Sequence, residues 1–270
     1  MVIENLAAPL AALFVPGDRP DRFEKAATSG ADMVIFDLED AVSAQNKPSA
    51  RDAVRSRLLH ARDGMVRLNS GRSGFLDDDL EALYDVAPTA VMLAKAEMVE
   101  DITRLKRTFG PKTAIVLLIE TALGLSNLPQ MLRTGHIWHV AFGSLDYALD
   151  IGAKHSFDAL LHARSEIVFQ CRLAGIAPPV DGVTMNIKNA QEITDDSRRA
   201  AELGFAGKLA IHPEQIQPIR TGFRPTEDDR IWAEKVVAAS KSAAVVQVDG
   251  NMADEPVVQR ALRILDRSGK

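Results

Sequence analysis

Eight short apolar runs rich in strand-forming residues, alternating with longer stretches of helical spacing, constrain this chain more than any other feature. The runs lie near Leu10–Val15, Met33–Leu38, Met65–Leu68, Ala90–Ala94, Ala114–Ile119, His139–Phe142, Gly182–Met185 and Leu209–Ile211. Between them, Arg19–Ser29, Pro48–Ala61, Leu76–Val86, Val99–Phe109, Ser126–Leu132, Phe157–Ala174 and Asn189–Leu203 mostly carry apolar residues three or four apart on an otherwise polar surface. Such alternation specifies βαβ units and a parallel sheet. Eight strands with helices between them in roughly 250 residues fit a (β/α)8 TIM barrel better than an open doubly wound sheet. The Rossmann-like alternative needs a glycine-rich fingerprint after a strand, and neither G-x-G-x-x-G nor G-x-x-x-x-G-K-[ST] occurs.

The pattern changes after the eighth run. Pro213–Pro225 is rich in Pro, Gly and polar residues, Asp228–Ser242 reads as one helix, and Val245–Asp254 combines a β-like run with Gly250 and Asn251 before a final helix at Pro256–Asp266. The expected organisation is a barrel over residues 1–222 and a C-terminal helical extension over 223–270 that serves as a lid or an oligomer arm. No linker divides the chain into independent domains.

Composition narrows the function. With 270 residues, 46% of them hydrophobic, the chain can bury a large core, which excludes disorder and fibrous structure. A net charge of -5, no basic stripe and 5% aromatic residues argue against nucleic acid and for a small metabolite as partner. The single cysteine, Cys171, excludes a disulfide framework and any multi-thiolate zinc site, and fits a reducing compartment. The N-terminal run MVIENLAAPLAALFV has no preceding cluster of cations and is too short for a bilayer, so no signal peptide or membrane span is expected and the cytosol is the expected location.

In such a barrel the active site forms at the C-terminal ends of the strands, and polar residues collect there. The successive ends read Pro16-Gly17-Asp18-Arg19, Asp37-Leu38-Glu39-Asp40, Arg67-Leu68-Asn69, Lys95, Glu120-Thr121, Gly143-Ser144-Leu145-Asp146 and His212-Pro213. Carboxylates converging on one mouth call for a hard divalent cation, and Glu120 with Asp146, at the ends of neighbouring strands, is the best pair for Mg2+, with Mn2+ as substitute. No H-x-x-x-H or H-E-x-x-H occurs, so Zn2+ fits less well. The alternative for Glu120 is a solvated strand end or a partner for Lys95. Arg67 suits a substrate carboxylate or enolate oxygen through two parallel hydrogen bonds, its alternative being a structural pair with Asp37 or Glu39. Glu39 and Asp40 are expected to hold Arg67, Lys95 or metal-bound water in place. His212 is either a general base or the cap of a turn. Cys171 reads as core, and His136, His139, His155 and His162 as structural or surface residues.

These residues lie in blocks whose order and content resemble the citrate lyase β-subunit-like group of the HpcH/HpaI aldolase superfamily, which also contains malyl-CoA and citramalyl-CoA lyases. The blocks are LFVPGDRPDRFEKA (13–26), DMVIFDLEDAV (32–42), VRLN (66–69), VMLAKAE (91–97), IETALGL (119–125), AFGSLDYALDIG (141–152), GFAGKLAIHPEQI (204–216) and VDGNMADEPVVQRALRIL (248–265). The resemblance implies a (β/α)8 barrel with Mg2+ on Glu120 and Asp146 and a carboxylate-bearing substrate on Arg67. It implies a CoA thioester entering over the C-terminal face, with Pro16, Gly17, Arg19, Lys25 and Lys95 near the nucleotide. It also implies a homotrimer or a dimer of trimers in which the tail of one subunit closes over its neighbour's site and supplies an acid, here Asp254. Two departures stand out: Met252-Ala253-Asp254 replaces Met-Ile-Asp, which thins the lid's apolar packing, and Leu93-Ala94-Lys95 replaces Leu-Pro-Lys, which removes a backbone constraint.

The activity so implied is Mg2+-dependent cleavage or formation of a carbon–carbon bond in a 3-hydroxyacyl-CoA thioester such as citramalyl-CoA, malyl-CoA or citryl-CoA, with an acyl-CoA and an oxo acid as the other side of the reaction. Three alternatives share the scaffold: a malate synthase or thioesterase, a CoA-independent class II aldolase, and a citrate lyase β chain that works on a carrier-bound substrate.

Overall fold

The computed structural model of the protein describes residues 9–61, 64–86, 88–241 and 245–268. Met1–Ala8, the start of the N-terminal run discussed above, and Ser242, the expected end of the helix from Asp228, lie outside the described residues. Strands β1 (Ala11–Pro16), β2 (Met33–Asp37), β3 (Met65–Leu68), β4 (Ala90–Leu93), β5 (Ala114–Ile119), β6 (Ile137–Phe142), β7 (Val180–Asp181) and β8 (Gly207–Ala210) run parallel and close into a barrel, β8 pairing with β1. Around them lie α1 (Phe23–Ala27), α2 (Lys47–His60), α3 (Leu76–Leu83), α4 (Val99–Phe109), α5 (Ala122–Leu132), α6 (Ser144–Asp150), α7 (Leu161–Leu173), α8 (Ala190–Leu203) and α9 (Ile216–Phe223). The extension comprises α10 (Glu227–Ser240), an antiparallel hairpin of β9 (Val246–Val248) and β10 (Asn251–Ala253), and α11 (Glu255–Ser268). Among the described residues no helix is long and apolar enough to cross a membrane.

Strands buried on both faces read as near-continuous apolar runs, and their two-residue alternation feeds two cores. Ala12, Ile35, Met65, Met92, Val116, Leu118 and Leu209 belong to the cluster inside the barrel, whereas Leu13, Phe36, Val66, Leu93, Leu117 and Ile119 pack under the helices. The inward parity carried one step further along each strand brings Phe14, Asp37, Arg67 and Glu120 to the mouth. The strand register sets Asp37 beside Arg67 and Ile119 beside Phe142.

Three elements differ from the sequence reading. The seventh strand covers Val180–Asp181 and not Gly182–Met185, and at Gly182 the backbone passes close to α6, where a Cβ would lie 2.2 Å from Ser144 Oγ. Val183 and Met185, which looked like strand alternation, line a cavity instead. The segment Pro213–Pro225, read only as polar and turn-rich, contains α9, whose Gly222 packs where a Cβ would meet Ser197 Cβ at 2.4 Å. Helix α6 starts at the strand end itself, one residue after Gly143.

The extension has its own small core of Ala233, Val236, Val248, Ala253 and Ala261, separate from the two barrel clusters. A capping box between Thr226 and Asp229 starts α10, and Asp249 (φ 48) with Gly250 (φ 81) makes the tight hairpin turn, in which both central residues are left-handed.

Candidate active site

The site is built from strand ends. Asp37 Oδ1 accepts from Arg67 Nε at 2.7 Å and from the Glu39 amide at 2.8 Å, and Asp37 Oδ2 accepts from Arg67 Nη2 at 2.6 Å. The guanidinium is thereby pinned over the Phe14 ring, 4.7 Å from its centroid, with Nη1 3.2 Å from Glu39 Oε2 and 3.9 Å from Glu120 Oε1. Burial opposes the Arg67 charge, but Asp37, Glu39 and Glu120 more than offset it, so its pKa is raised. Asp37 therefore takes the Nε/Nη2 edge of the Arg67 fork, the structural pair given above as the alternative, and Nη1 is directed towards Glu39 and Glu120.

Lys95 adopts a left-handed backbone (φ 44), uncommon for a residue with a side chain, and this turn directs its amide to Glu120 Oε2 at 2.7 Å. Its ammonium bonds Glu39 Oε1 and, at 3.0 Å, Asp40 Oδ2. Burial pushes Glu39 up against the pull of Arg67 and Lys95, whereas Asp40, despite its own burial penalty, is held low by Lys95. Lys47 reaches in from α2 to donate to Leu38 O (2.8 Å), Glu39 O (3.1 Å) and Asn69 Oδ1 (2.7 Å), which fixes the turn after β2.

Glu120 is 2% exposed, and burial pushes its pKa up to about 8 against the opposing pull of Arg67 and Lys95. Gly143 lets the chain pass it: a Cβ there would lie 2.2 Å from Glu120 Cγ. Glu120, Asp37, Asp40, Arg67, Ser144 and Asp146 line one side of a cavity of about 290 Å³, and Phe14, Val183, Met185, Leu209 and Ile211 line the other. Asp146 is half-buried and makes no hydrogen bond or ion pair with the described residues. Five carboxylates, Asp37, Glu39, Asp40, Glu120 and Asp146, thus surround two cations, Arg67 and Lys95.

An all-oxygen site with surplus negative charge, with Glu39 and Glu120 displaced towards neutrality and Asp146 without a partner among the described residues, fits a hard divalent cation. Among the described residues no group of three or more His, Cys, Asp or Glu side chains is gathered for a metal. A cation here would rest on Glu120 and Asp146 and take its remaining oxygens from water and substrate.

The other sequence-predicted residues fall in three places. Pro16 and Gly17 form the rim above β1, where Gly17 N donates to Asp37 O at 2.8 Å and a Cβ would crowd that same oxygen at 2.7 Å. Arg19 and Lys25 are exposed on the turn and helix beyond that rim, with Arg19 paired to Asp21 at 2.8 Å. Asp254 is half-buried between β10 and α11 and is not among the residues lining the cavity of its own chain. His212 Nδ1 accepts from Glu214 N at 3.2 Å, as in the turn-capping reading. Cys171 is buried, its thiol pushed up to about 12 by burial.

Sequence reasoning passed over Lys47 and His155. Lys47 carried no signal beyond lying at the start of a helix. His155, assigned to structure or surface, meets Ser144 Oγ at 3.0 Å beside the cavity.

A family model described as HpcH/HpaI aldolase/citrate lyase matches residues 10–213. The chain belongs to the HpcH/HpaI aldolase/citrate lyase family. Within this family, the citrate lyase subunit beta-like protein of Mycobacterium tuberculosis is 35% identical over 266 residues, covering 96% of this chain and 95% of that protein. The mitochondrial citramalyl-CoA lyase of Homo sapiens is 31% identical, with 93% of this chain and 83% of that protein covered. The crystal structure of M. tuberculosis CitE in complex with magnesium, acetoacetate and coenzyme A matches with a TM-score of 0.88 at 34% identity, over 98% of this chain and 99% of that one. The HpcH/HpaI match stops at Pro213, before α9, while the relatives align almost end to end. The extension is therefore shared with these relatives although it lies beyond the family model.

Proposed function

We propose that this family member is a Mg2+-dependent carbon–carbon lyase acting on a carboxylate-bearing 3-hydroxyacyl-CoA thioester of the citramalyl-CoA, malyl-CoA or citryl-CoA kind, which it cleaves to an acyl-CoA and an oxo acid or forms in the reverse direction. The observation that carries this reading is the surplus of carboxylate around one cavity, with Glu120 buried and Asp146 unpaired among the described residues on the same wall. Relatives named as a citramalyl-CoA lyase and as CitE bound to magnesium, acetoacetate and coenzyme A support the same chemistry.

Glu120 and Asp146 would hold Mg2+, or Mn2+ in its place. When bound, the ion supplies a Lewis acid for the oxygens of the oxo-acid portion. Arg67, immobilised by Asp37, offers Nη1 and a fixed positive charge to the oxygen on which charge develops, and being already oriented it costs little reorganisation. Glu39 and Asp40 keep Arg67 and Lys95 in place. Lys95, the rim at Pro16–Gly17 and the exposed cations Arg19 and Lys25 provide the side of the mouth suited to the CoA phosphates.

Asp254 of a second copy is the proton carrier in this scheme. In condensation it takes a proton from the acyl-CoA carbon and the newly formed alkoxide takes one up from solvent; in cleavage the substrate hydroxyl gives up its proton to solvent as it becomes the oxo group, the electron pair of the broken bond passes to the thioester as an enolate, and protonated Asp254 supplies the proton to that carbon. The extension of residues 223–270 would act as lid and oligomer arm in a trimer or dimer of trimers, excluding water during this transfer. Its hairpin stands on its own core with Met252 of β10 71% exposed, an apolar side chain that a neighbouring subunit would cover. The free thiol of Cys171 suits the cytosol.

The test is an assay of the purified protein with Mg2+ and a panel of 3-hydroxyacyl-CoA thioesters, scoring oxo acid and free CoA separately, with and without EDTA. Release of oxo acid and acyl-CoA that EDTA abolishes is the expected result. Free CoA alone points to the synthase or thioesterase, and silence across the panel to the CoA-independent aldolase or the carrier-bound β chain.

A further inference from the structure

The turn Gly143–Asp146 carries Asp146, the carboxylate of the cation site that is unpaired among the described residues, and its anchor lies outside the charged cluster. On one side Gly143 N donates to Ile119 O at 2.9 Å, tying the end of β6 to β5. On the other side Ser144, 1% exposed, shares a hydrogen bond of 3.0 Å with Nε2 of His155, a residue of the α6–α7 connection. Space for the hydroxyl exists because position 182 is glycine, where a Cβ would lie 2.2 Å from Ser144 Oγ and 2.8 Å from Phe142 O.

His155 faces Arg164 and Lys208, both already held by Asp181 at 2.8 and 3.0 Å, together with Asp181 itself and Asp196. Burial and the two cations push its pKa down, which disfavours the charged ring. Asp146, two residues beyond Ser144, has no side-chain partner among the described residues, so the position of its carboxylate follows from the turn that carries it.

We propose that His155 and Ser144 are positioning residues whose mutual hydrogen bond fixes the first turn of α6 and thereby aims Asp146 at the cation it shares with Glu120. This rests on the cation reading above. Neither residue is assigned a contact with reacting atoms. A hydrogen bond that fixes the orientation of a ligand-bearing segment influences cation affinity more than overall stability.

The experiment titrates full-length, metal-free protein with Mn2+ and follows free ion by electron paramagnetic resonance. Ser144→Ala and His155→Ala should each weaken Mn2+ binding by about ten-fold, with unfolding midpoints close to wild type. The double variant should be no weaker than the weaker single one, because both remove the same contact. His155→Gln, which keeps a hydrogen-bonding group of similar reach, should recover most of the loss. Wild-type affinity in both alanine variants, losses that multiply, or no rescue by His155→Gln would each overturn the assignment. Glu120→Gln separates this failure from that of the cation reading. If it abolishes Mn2+ binding while both alanine variants retain it, only the positioning role falls; if it leaves binding intact, the cation reading is wrong and the positioning role falls with it.

Discussion

The mouth of the barrel is made of two unlike arcs. From β2 to β5 the strand ends carry Asp37, Glu39, Asp40, Arg67, Lys95 and Glu120, whose polar atoms are bound to one another or to backbone amides. From β7 through β8 to β1 the cavity wall is Val183, Met185, Leu209, Ile211 and Phe14, with no charge among them. A charged arc that is fixed before substrate arrives suits bond-making and bond-breaking, since its dipoles need little reorganisation. An apolar arc, with Met185 51% and Ile211 41% exposed, suits the part of a substrate that varies. Under the proposed function, the same opening would separate reaction from selection.

Glu120→Ala should break the charged arc most severely. Metal-dependent turnover should fall by roughly 10³-fold or more, with the circular dichroism spectrum unchanged; activity near wild type would refute the cation assignment. Asp37→Asn should come next, because it leaves Arg67 buried without its main counter-charge. A cost of about 3–5 kcal/mol in urea unfolding is expected from breaking such a pair, together with loss of activity. A change under about 1 kcal/mol would mean that the pair behaves like an exposed one.

Much of the charged arc was legible in the sequence because one physical rule governs it. Strands buried on both faces appear as uninterrupted apolar runs, and a polar residue at the inward parity after such a run has to lie at the mouth. Arg67 and Glu120 follow that rule directly. Which carboxylate would take the Arg67 fork was not legible, since Asp37 and Glu39 share one parity two residues apart and the pairing depends on strand register. Part of the apolar arc was misread as a seventh strand: Val183 and Met185 alternate like strand residues, whereas the ladder ends at Asp181, before the glycine that passes close to Ser144. Helix α9 was hidden by Pro218 in its first turn and by Gly222, a residue unfavourable in helices but required here for close approach to α8. His155 gave no signal because its partner lies on another element.

Substitution in the apolar arc should sharpen the contrast. Met185→Ala should shift the ratio of kcat/KM between two thioesters that differ by one methyl group by about 10-fold or more, leaving Mn2+ affinity unchanged. Equal effects on all substrates would make this wall part of the reacting machinery. A subtler difference concerns protons. In metal-free protein the raised pKa of Glu120 means that the folded state keeps a proton the unfolded chain releases, between the ordinary value of 4.5 and about 8. That contribution to stability is complete below about pH 4.5 and is lost as pH rises through about 8. In EDTA, wild type should therefore lose stability relative to Glu120→Gln across this window, and saturating Mg2+ should flatten the difference. A pH-independent difference in EDTA would count against the buried, proton-holding carboxyl.

The smallest expected effect tests whether any chemistry sits on the apolar side at all. His212 follows β8 and is its one titratable candidate, and its Nδ1 already accepts the Glu214 amide at the start of a short turn, with Pro213 fixing the backbone between them. A ring nitrogen spent on a cap is not free to take a proton from substrate. His212→Ala should thus cost only the cap, about 1 kcal/mol in unfolding free energy, with kcat within about two-fold of wild type and an unaltered pH profile. A general base would instead contribute about 10²- to 10⁴-fold, a gap wide enough for one kinetic measurement to decide. Loss on that scale would extend the reacting machinery around the whole mouth and abolish the division between the arcs.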